Sequence, residues 1–413
     1  MINELSLDAR KVNAAGLLWK KKLGLSYPAL QLTQTPGGYL LRTDQVVGAI
    51  RVGAAVIEIF PKFFYEGDRA TWHQSFLNLV RYAHGTIGRS DDAVPARVKR
   101  ASSFAEVIGL FFNEEMKRAF IRGFPRSYRE KRGRSAFPEG SLDPADLNSI
   151  VLFDGKIAFR TPHLSRQSTL STLAGWAGGR LAALCSDHVL KSELYLWNMR
   201  LAPLQSERPP TNWNRISVPR SFEYLRPIFE ISQLLASAFL PGVEYGESNL
   251  GLPGFMWRTA DIYERAVYRM NVEALEGSGI RVSKRSYPLL STNGVAVAHT
   301  NPDLVFSRQG VSVLVGDAKY KNRQTSPETA DAYQVITAAD VTGCSTSMLY
   351  YPSQGDQVRI KRLDISGFGQ ARQIAVVDIG LECFAKKESL NIARTSLREI
   401  LVGILGDEEV LST

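Results

Sequence analysis

The chain is poor in the residues that build disulfide frameworks and zinc sites. Its 413 residues hold three cysteines, Cys185, Cys344 and Cys383, far apart and with no CxxC spacing. Neither a disulfide-stapled fold nor a thiolate metal centre is expected, and the thiols read as buried and reduced. The five histidines are equally scattered, which speaks against a zinc site of the usual ligand spacing. No stretch approaches the roughly eighteen apolar residues of a membrane span, so no membrane association is expected. The opening MINELSLDARK carries acids and no apolar core; it does not read as a secretory signal, and a cytoplasmic protein is expected. No GxxxxGK[ST] occurs anywhere. Without that phosphate-cradling loop, the chain is not expected to hydrolyse nucleotides itself.

What remains is ordinary in bulk. A hydrophobic content of 44% and a charged content of 22% suit a globular chain long enough for two or three domains. The net charge of +9 biases it toward polyanionic partners. Leu7–Leu23 reads as a helix with Lys20, Lys21 and Lys22 at its C-terminal end, where the dipole favours cations. From Gly38 to Pro61 the sequence turns β-branched and suggests several short strands, with Gly48 and Gly53 at tight turns or bulges. Ala70–His84, Phe104–Ile121, Gln167–His188, a run to about Leu201, and Leu225–Phe239 read as helices, the second ending at a Gly123 cap. Ser206–Pro219 reads as a loop or linker and the glycine-rich Gly242–Gly254 as a boundary. Three segments follow: a β-rich 1–66, a mainly helical 67–241, and a terminal domain 242–413.

Between Lys117 and Arg134 lie eight cations against the single acid Glu130. Phe124 and Tyr128 are interleaved and Pro125 and Gly133 break any helix, so the stretch reads as a non-periodic basic loop. A solvated charged rim accounts for most such runs; this excess of one sign also suits phosphate binding. Arg122, Arg126, Arg129, Lys131, Arg132 and Arg134 are the candidate DNA contacts, with Lys321 from the terminal domain.

The chemistry concentrates in His299–Arg323, HTNPDLVFSRQGVSVLVGDAKYKNR, two strands joined by a polar turn at Ser307–Gly310. Val311, Val313 and Val315 share one face, and that face continues into Asp317 and Lys319. A hairpin of this length brings Asp303 near Asp317. Two carboxylates at one point hold a hard divalent cation, magnesium or manganese, which activates a water for phosphodiester hydrolysis. Lys319 is placed to orient that water or to stabilise transition-state charge.

Pro302-Asp303 followed by Asp317-Ala318-Lys319 resembles the PD-(D/E)xK nuclease signature. The resemblance implies a restriction-endonuclease-like α/β/α domain. It also implies one more metal-directed acid on the preceding helix, Phe255–Glu276, where Glu264 is the candidate. A site glutamine on the helix Ala330–Ala339 follows from it too, and that residue would be Gln334. Strands at Ser347–Tyr351 and Gln373–Ile379 and a helix at Ser389–Ile404 complete the expected sandwich. VIEIFPKF, LNLVRYAHG, GFPRSYREKRGR, IYERAVYRM, PDLVF, LVGDAKYK, DAYQ and MLYYP, in that order, look like the McrC family, the nuclease subunit of McrBC-type modification-dependent restriction systems. The expected whole is thus a multidomain α+β protein of a bacterial or archaeal cytoplasm, its N-terminal β-rich and helical part docking and its C-terminal α/β domain cutting. The resemblance implies modified DNA as target and an AAA+ GTPase ring of McrB type as partner, whose hydrolysis it stimulates. Docking is expected on Gly38–Phe64, and a chain begun near Gly242 is expected to keep the metal site. A stand-alone nuclease and an inactive DNA-binding or ring-docking scaffold remain as alternatives.

Overall fold

A computed structural model describes residues 9–36, 38–52, 55–64, 69–84, 101, 103–137, 139–142, 156–165, 168–201, 208–239, 243–245, 248–250, 254–293, 295–322, 326–366 and 373–411. The chain forms two compact units, one from Met1–Val107 with Phe255–Thr413, the other from Ile108–Gly254. The N-terminal segment thus shares a unit with the C-terminal domain, and the glycine-rich boundary falls where unit two ends.

The first unit begins with α1 (Ala9–Leu23), which buries Val12, Ala15, Gly16 and Trp19, a stripe at helical spacing. Strands β1 (Leu30–Thr35) and β2 (Gly38–Thr43) pair antiparallel. Strands β3 (Val46–Val52) and β4 (Ala55–Ile59) form a second antiparallel pair, and α2 (Arg69–Ala83) follows. Phe76, Leu77, Leu79, Val80 and Tyr82 of α2 are all buried.

The second unit contains most of α3 (Phe104–Arg122), which ends at Gly123 with φ +91° and a Gly123 N–H donating to Ala119 O at 2.9 Å. The basic stretch is then a strand and not a loop: β5 (Ser127–Ser135) pairs over its whole length with β7 (Ile157–Ser165), and β7 also carries the short β6 (Ser141–Leu142). Charge density hides strand character, because an exposed strand needs no apolar alternation. Helices α4 (Thr169–Leu184) and α5 (His188–Leu201) pack closely, followed by α6 (Arg226–Ala238). A small hairpin of β8 (Val243–Tyr245) and β9 (Ser248–Leu250) closes the unit.

Back in the first unit, β10 (Gly254–Arg258) lies beside β3. This corrects the expected helix Phe255–Glu276: residues 255–258 are strand, and α7 spans Thr259–Ala274. Phe255, Met256 and Trp257 are buried in succession, as a strand covered on both faces requires. Gly48 is what lets β10 approach. Its φ is +152°, and a Cβ there would stand 2.0 Å from Phe255 O. Helix α7 is fastened at its start, where both Thr259 N and Oγ1 donate to Gln45 O, at 2.9 and 3.0 Å.

The remaining elements build a six-stranded mixed sheet. In chain order they are β11 (Ile280–Ser283), the separate hairpin β12 (Tyr287–Thr292) and β13 (Val295–Thr300), β14 (Leu304–Arg308), β15 (Val311–Ala318), α8 (Thr329–Thr342), β16 (Thr346–Ser353), β17 (Val358–Asp364), β18 (Gln373–Gly380) and α9 (Lys387–Leu411). The sheet order is β11-β14-β15-β16-β18-β17, with β15, β16 and β18 parallel and the outer pairings antiparallel. Gln309 and Gly310, at φ +50° and +89°, turn β14 into β15 as a tight hairpin requires. Helix α8 covers one face, where Val335, Ile336 and Ala339 meet Val305, Val315, Leu349, Tyr351 and Val376. Helix α7 lies against the other, with the Tyr350 hydroxyl donating to Asn271 Oδ1 at 2.7 Å. The mixed α/β architecture agrees with expectation; β1, β6, β7, β8, β9, β11, β12, β13 and β17 are additions to it.

Candidate active site

Strand register assembles the site. Leu304 pairs with Gly316, so the next rung places Asp303 opposite Asp317. Asp303 Oδ2 accepts the Ala318 N–H at 2.9 Å. Beyond the strand, Lys319 N–H donates to Tyr350 O at 2.9 Å, which carries the chain one residue further alongside β16. Asp317 is buried, at 3% exposure. The Lys319 ammonium meets Asp317 Oδ2 and also donates to Gln334 Oε1 at 2.7 Å. Asp303, Asp317, Lys319 and Gln334 therefore converge, from three separate segments.

The two aspartates perturb one another. Burial pushes the Asp303 carboxyl up to about 8; a hydrogen bond and charge repulsion from Asp317 add to this, the Ala318 N–H opposes it, and Glu264 adds a smaller repulsion. Adjacent carboxylates repel one another when both are ionised, which adds to burial in favouring the protonated form of Asp303.

Glu264 stands differently. Its carboxylate is ion-paired with the Lys284 ammonium, and among the described residues no three His, Cys, Asp or Glu side chains converge on a common metal position. Asp303 and Asp317 are the two carboxylates that stand together. A pair of carboxylates suits magnesium, which binds through one or two carboxylates and keeps much of its hydration.

Lys321 is engaged by two acids. Its ammonium lies 2.6 Å from Glu328 Oε2 and 2.8 Å from Asp331 Oδ2. Burial pulls its pKa down, but these two acids outweigh that and the net shift is upward. Asp331 is itself buried and accepts the Tyr351 hydroxyl at 2.7 Å. Sequence reasoning missed Asp331, Tyr351 and Lys284. Asp331 was accessible in principle, since it precedes Gln334 by one helical turn and so shares its face. A further contact reaches from the N-terminal segment: Phe63 packs edge-on against Tyr320 at 5.1 Å, and Tyr320 against Tyr263 at 5.7 Å. Tyr320 is the residue between the two lysines.

The basic stretch occupies the second unit. Arg122 is exposed and lies 5.5 Å above the Tyr224 ring, whose hydroxyl donates to Gly123 O at 2.6 Å. Arg126, Lys131 and Arg134 are exposed, while the Arg129 side chain lies outside the described residues. Arg132 faces Arg160 across the β5–β7 pair, and Glu130 serves both, at 2.9 and 3.6 Å. Lys117 and Arg118 are engaged by acids: Glu193 at 3.1 Å for the first and Glu115 at 3.1 Å for the second.

A mixed sheet clasped by helices, with paired carboxylates and a lysine at the end of a central strand, defines an α/β protein with a site suited to a hard cation. A family model described as "McrBC 5-methylcytosine restriction system component" matches residues 41–352, most of the chain. The chain belongs to that family, and so is a component of a McrBC-type restriction system. Its fold matches the McrC subunit in the Thermococcus gammatolerans assembly of McrB AAA+ hexamers with bound McrC. The TM-score is 0.63 at 16% identity, over 97% of each chain. A second structure, the Thermococcus gammatolerans McrBC complex, aligns at TM-score 0.42 and 16% identity, over 66% of this chain and 84% of the other. No curated protein matches the chain. No helix among the described residues is long and apolar enough to cross a membrane.

Proposed function

We propose that this chain is the DNA-cutting subunit of its restriction system, a magnesium-dependent endonuclease of PD-(D/E)xK type. The observation that carries the reading is the meeting of Asp303, Asp317, Lys319 and Gln334 at the end of β15 in a chain of this family. Asp303 and Asp317 would hold the cation, which when bound would supply an activated water and polarise the scissile phosphate. The Ala318 N–H orients Asp303 from behind. Lys319 places its ammonium where charge develops on the phosphate oxygens, and Gln334 draws that ammonium away from a purely private pairing with Asp317. Glu264 joins the site only by leaving Lys284.

The similar archaeal protein is bound to AAA+ hexamers; this chain is proposed to dock likewise on a hexameric GTPase and to speed its hydrolysis, with Gly38–Phe64 as the docking region. The Phe63–Tyr320 contact supports coupling of that region to the site. Arg122, Arg126, Lys131, Arg132 and Arg134, with Arg129, are proposed to track DNA phosphates.

The test combines two assays on the purified chain, with and without an AAA+ GTPase of McrB type. Modified duplex DNA should be cut in magnesium or manganese and spared in chelator, weakly by the chain alone and strongly with the partner. The partner's GTP turnover should rise when the chain is added. Cutting unaffected by chelator, or GTP turnover unaffected by the chain, would overturn the corresponding half of the reading.

A further inference from the structure

Both lysines of the DAKYK run reach helix α8, but they do different things there. Lys319 donates to Gln334 at 2.7 Å, within the proposed site. Lys321 pairs with Asp331 at 2.8 Å, one helical turn earlier. Asp331 Oδ2 also receives the Tyr351 hydroxyl at 2.7 Å. A buried carboxylate with two charge-strengthened partners is a firm anchor, because leaving any of the three unpaired would be costly. It sits in the first turn of α8, where the helix dipole favours an anion. The neighbouring residue of β16, Tyr350, holds the Lys319 backbone through its carbonyl, at 2.9 Å. Two successive residues of β16 therefore fix both sides of one contact. Tyr350 sets the backbone of Lys319, and Tyr351, through Asp331, sets the helix that carries its side-chain partner.

We propose that Asp331 is a positioning residue for Lys319, and that Lys321 serves this anchor and not DNA. The inference rests on the reading of Asp303, Asp317 and Lys319 as the hydrolytic site. Asp331 touches none of the reacting groups. It holds α8 so that Gln334 Oε1 competes with Asp317 for the Lys319 ammonium. With the anchor gone, Gln334 drifts, the ammonium settles on Asp317, and a carboxylate needed for the cation is neutralised. DNA binding should be unaffected and the chemical step should slow.

The variants are Asp331→Asn, which keeps the volume and removes the charge, and Tyr351→Phe, which removes one hydroxyl; each is made alone and together with Gln334→Ala. Cleavage is measured on the full chain assembled with its partner GTPase, separating kcat from KM, with thermal melting as the control for folding. Asp331→Asn should lower kcat by about tenfold to a hundredfold with KM little changed, the usual range for losing a supporting partner of a site. In the Gln334→Ala background, the same change should cost nothing further. A general loosening of the fold would not give that dependence on Gln334. If Asp331→Asn melts too low to assay, Tyr351→Phe carries the same cycle. Unchanged kcat, or a loss of equal size with Gln334 already removed, overturns the proposal. Asp317→Ala runs alongside. If it cuts like wild type, the site reading itself has failed, whatever Asp331 does.

Discussion

Replacing Asp303 with asparagine gives a quantitative handle on the carboxylate pair. The folded Asp303 carboxyl is raised from 3.8 to about 8, so between those values the native state holds a proton that the unfolded chain has released. Metal-free stability therefore falls as pH rises through this window and levels off above about 8. A shift of about four units, at roughly 1.4 kcal/mol each, sets a ceiling on the order of 5 kcal/mol. Partial solvent access and proton sharing with Asp317 reduce this to a few kcal/mol. Asparagine still offers an oxygen to the Ala318 N–H but cannot ionise. In chelator, wild type should melt progressively lower from pH 5 to pH 8 and Asp303→Asn should show a flatter profile. At pH 8 the variant should melt roughly 5–10 °C higher, at about 2–4 °C per kcal/mol for a unit of this size. Magnesium should restore the wild type at pH 8 and leave the variant nearly unmoved. Parallel melting curves for the two proteins would refute the reasoning that the aspartates repel one another at one cation site.

The other predictions concern binding and packing. Changing Arg126, Arg129 and Arg132 to alanine should weaken DNA binding across sequences and lower the salt slope by roughly one unit per lost phosphate contact; unchanged affinity and slope would leave β5 a solvated or protein-docking surface. Gly48→Ala would place a Cβ 2.0 Å from Phe255 O and should cost several kcal/mol by breaking the β3–β10 approach; a melting temperature equal to wild type would remove that glycine's assigned role. A chain begun near Gly242 should bind magnesium more weakly and melt lower than the full chain, because it loses β3 beside β10, Gln45 O at the start of α7, and Phe63 against Tyr320. Full metal affinity in that fragment would show the terminal domain to be self-sufficient, as its sequence alone suggests.

Much of the sandwich was legible because its signals are local. Alternating valines running into Asp317, the Gln309–Gly310 turn and the apolar stripe of α7 each specify their element within a dozen residues. Where reasoning from sequence fell short, the deciding contact was distant. Residues 255–258 are helical by continuity with α7 and become a strand only because β3, two hundred positions earlier, offers hydrogen bonds. The charged β5 and β17 lack an apolar period, since they face solvent. Within the site, spacing reached Asp303, Asp317 and Lys319, and the family resemblance supplied Gln334. The structure brings these four together, keeps Glu264 with Lys284, and pairs Lys321 with Asp331. Asp331 escaped notice because a single aspartate in a first helical turn looks like any other dipole-complementing acid.

The most direct measurement is DNA cleavage by the chain carrying Asp317→Ala, assembled with its partner GTPase in magnesium. If Asp303, Asp317 and Lys319 form the hydrolytic site, the variant should still bind its partner and stimulate GTP turnover while cutting falls to background. Lys319→Ala should behave alike, and Glu264→Ala should only weaken cutting. Cleavage at the wild-type rate by Asp317→Ala would contradict the account.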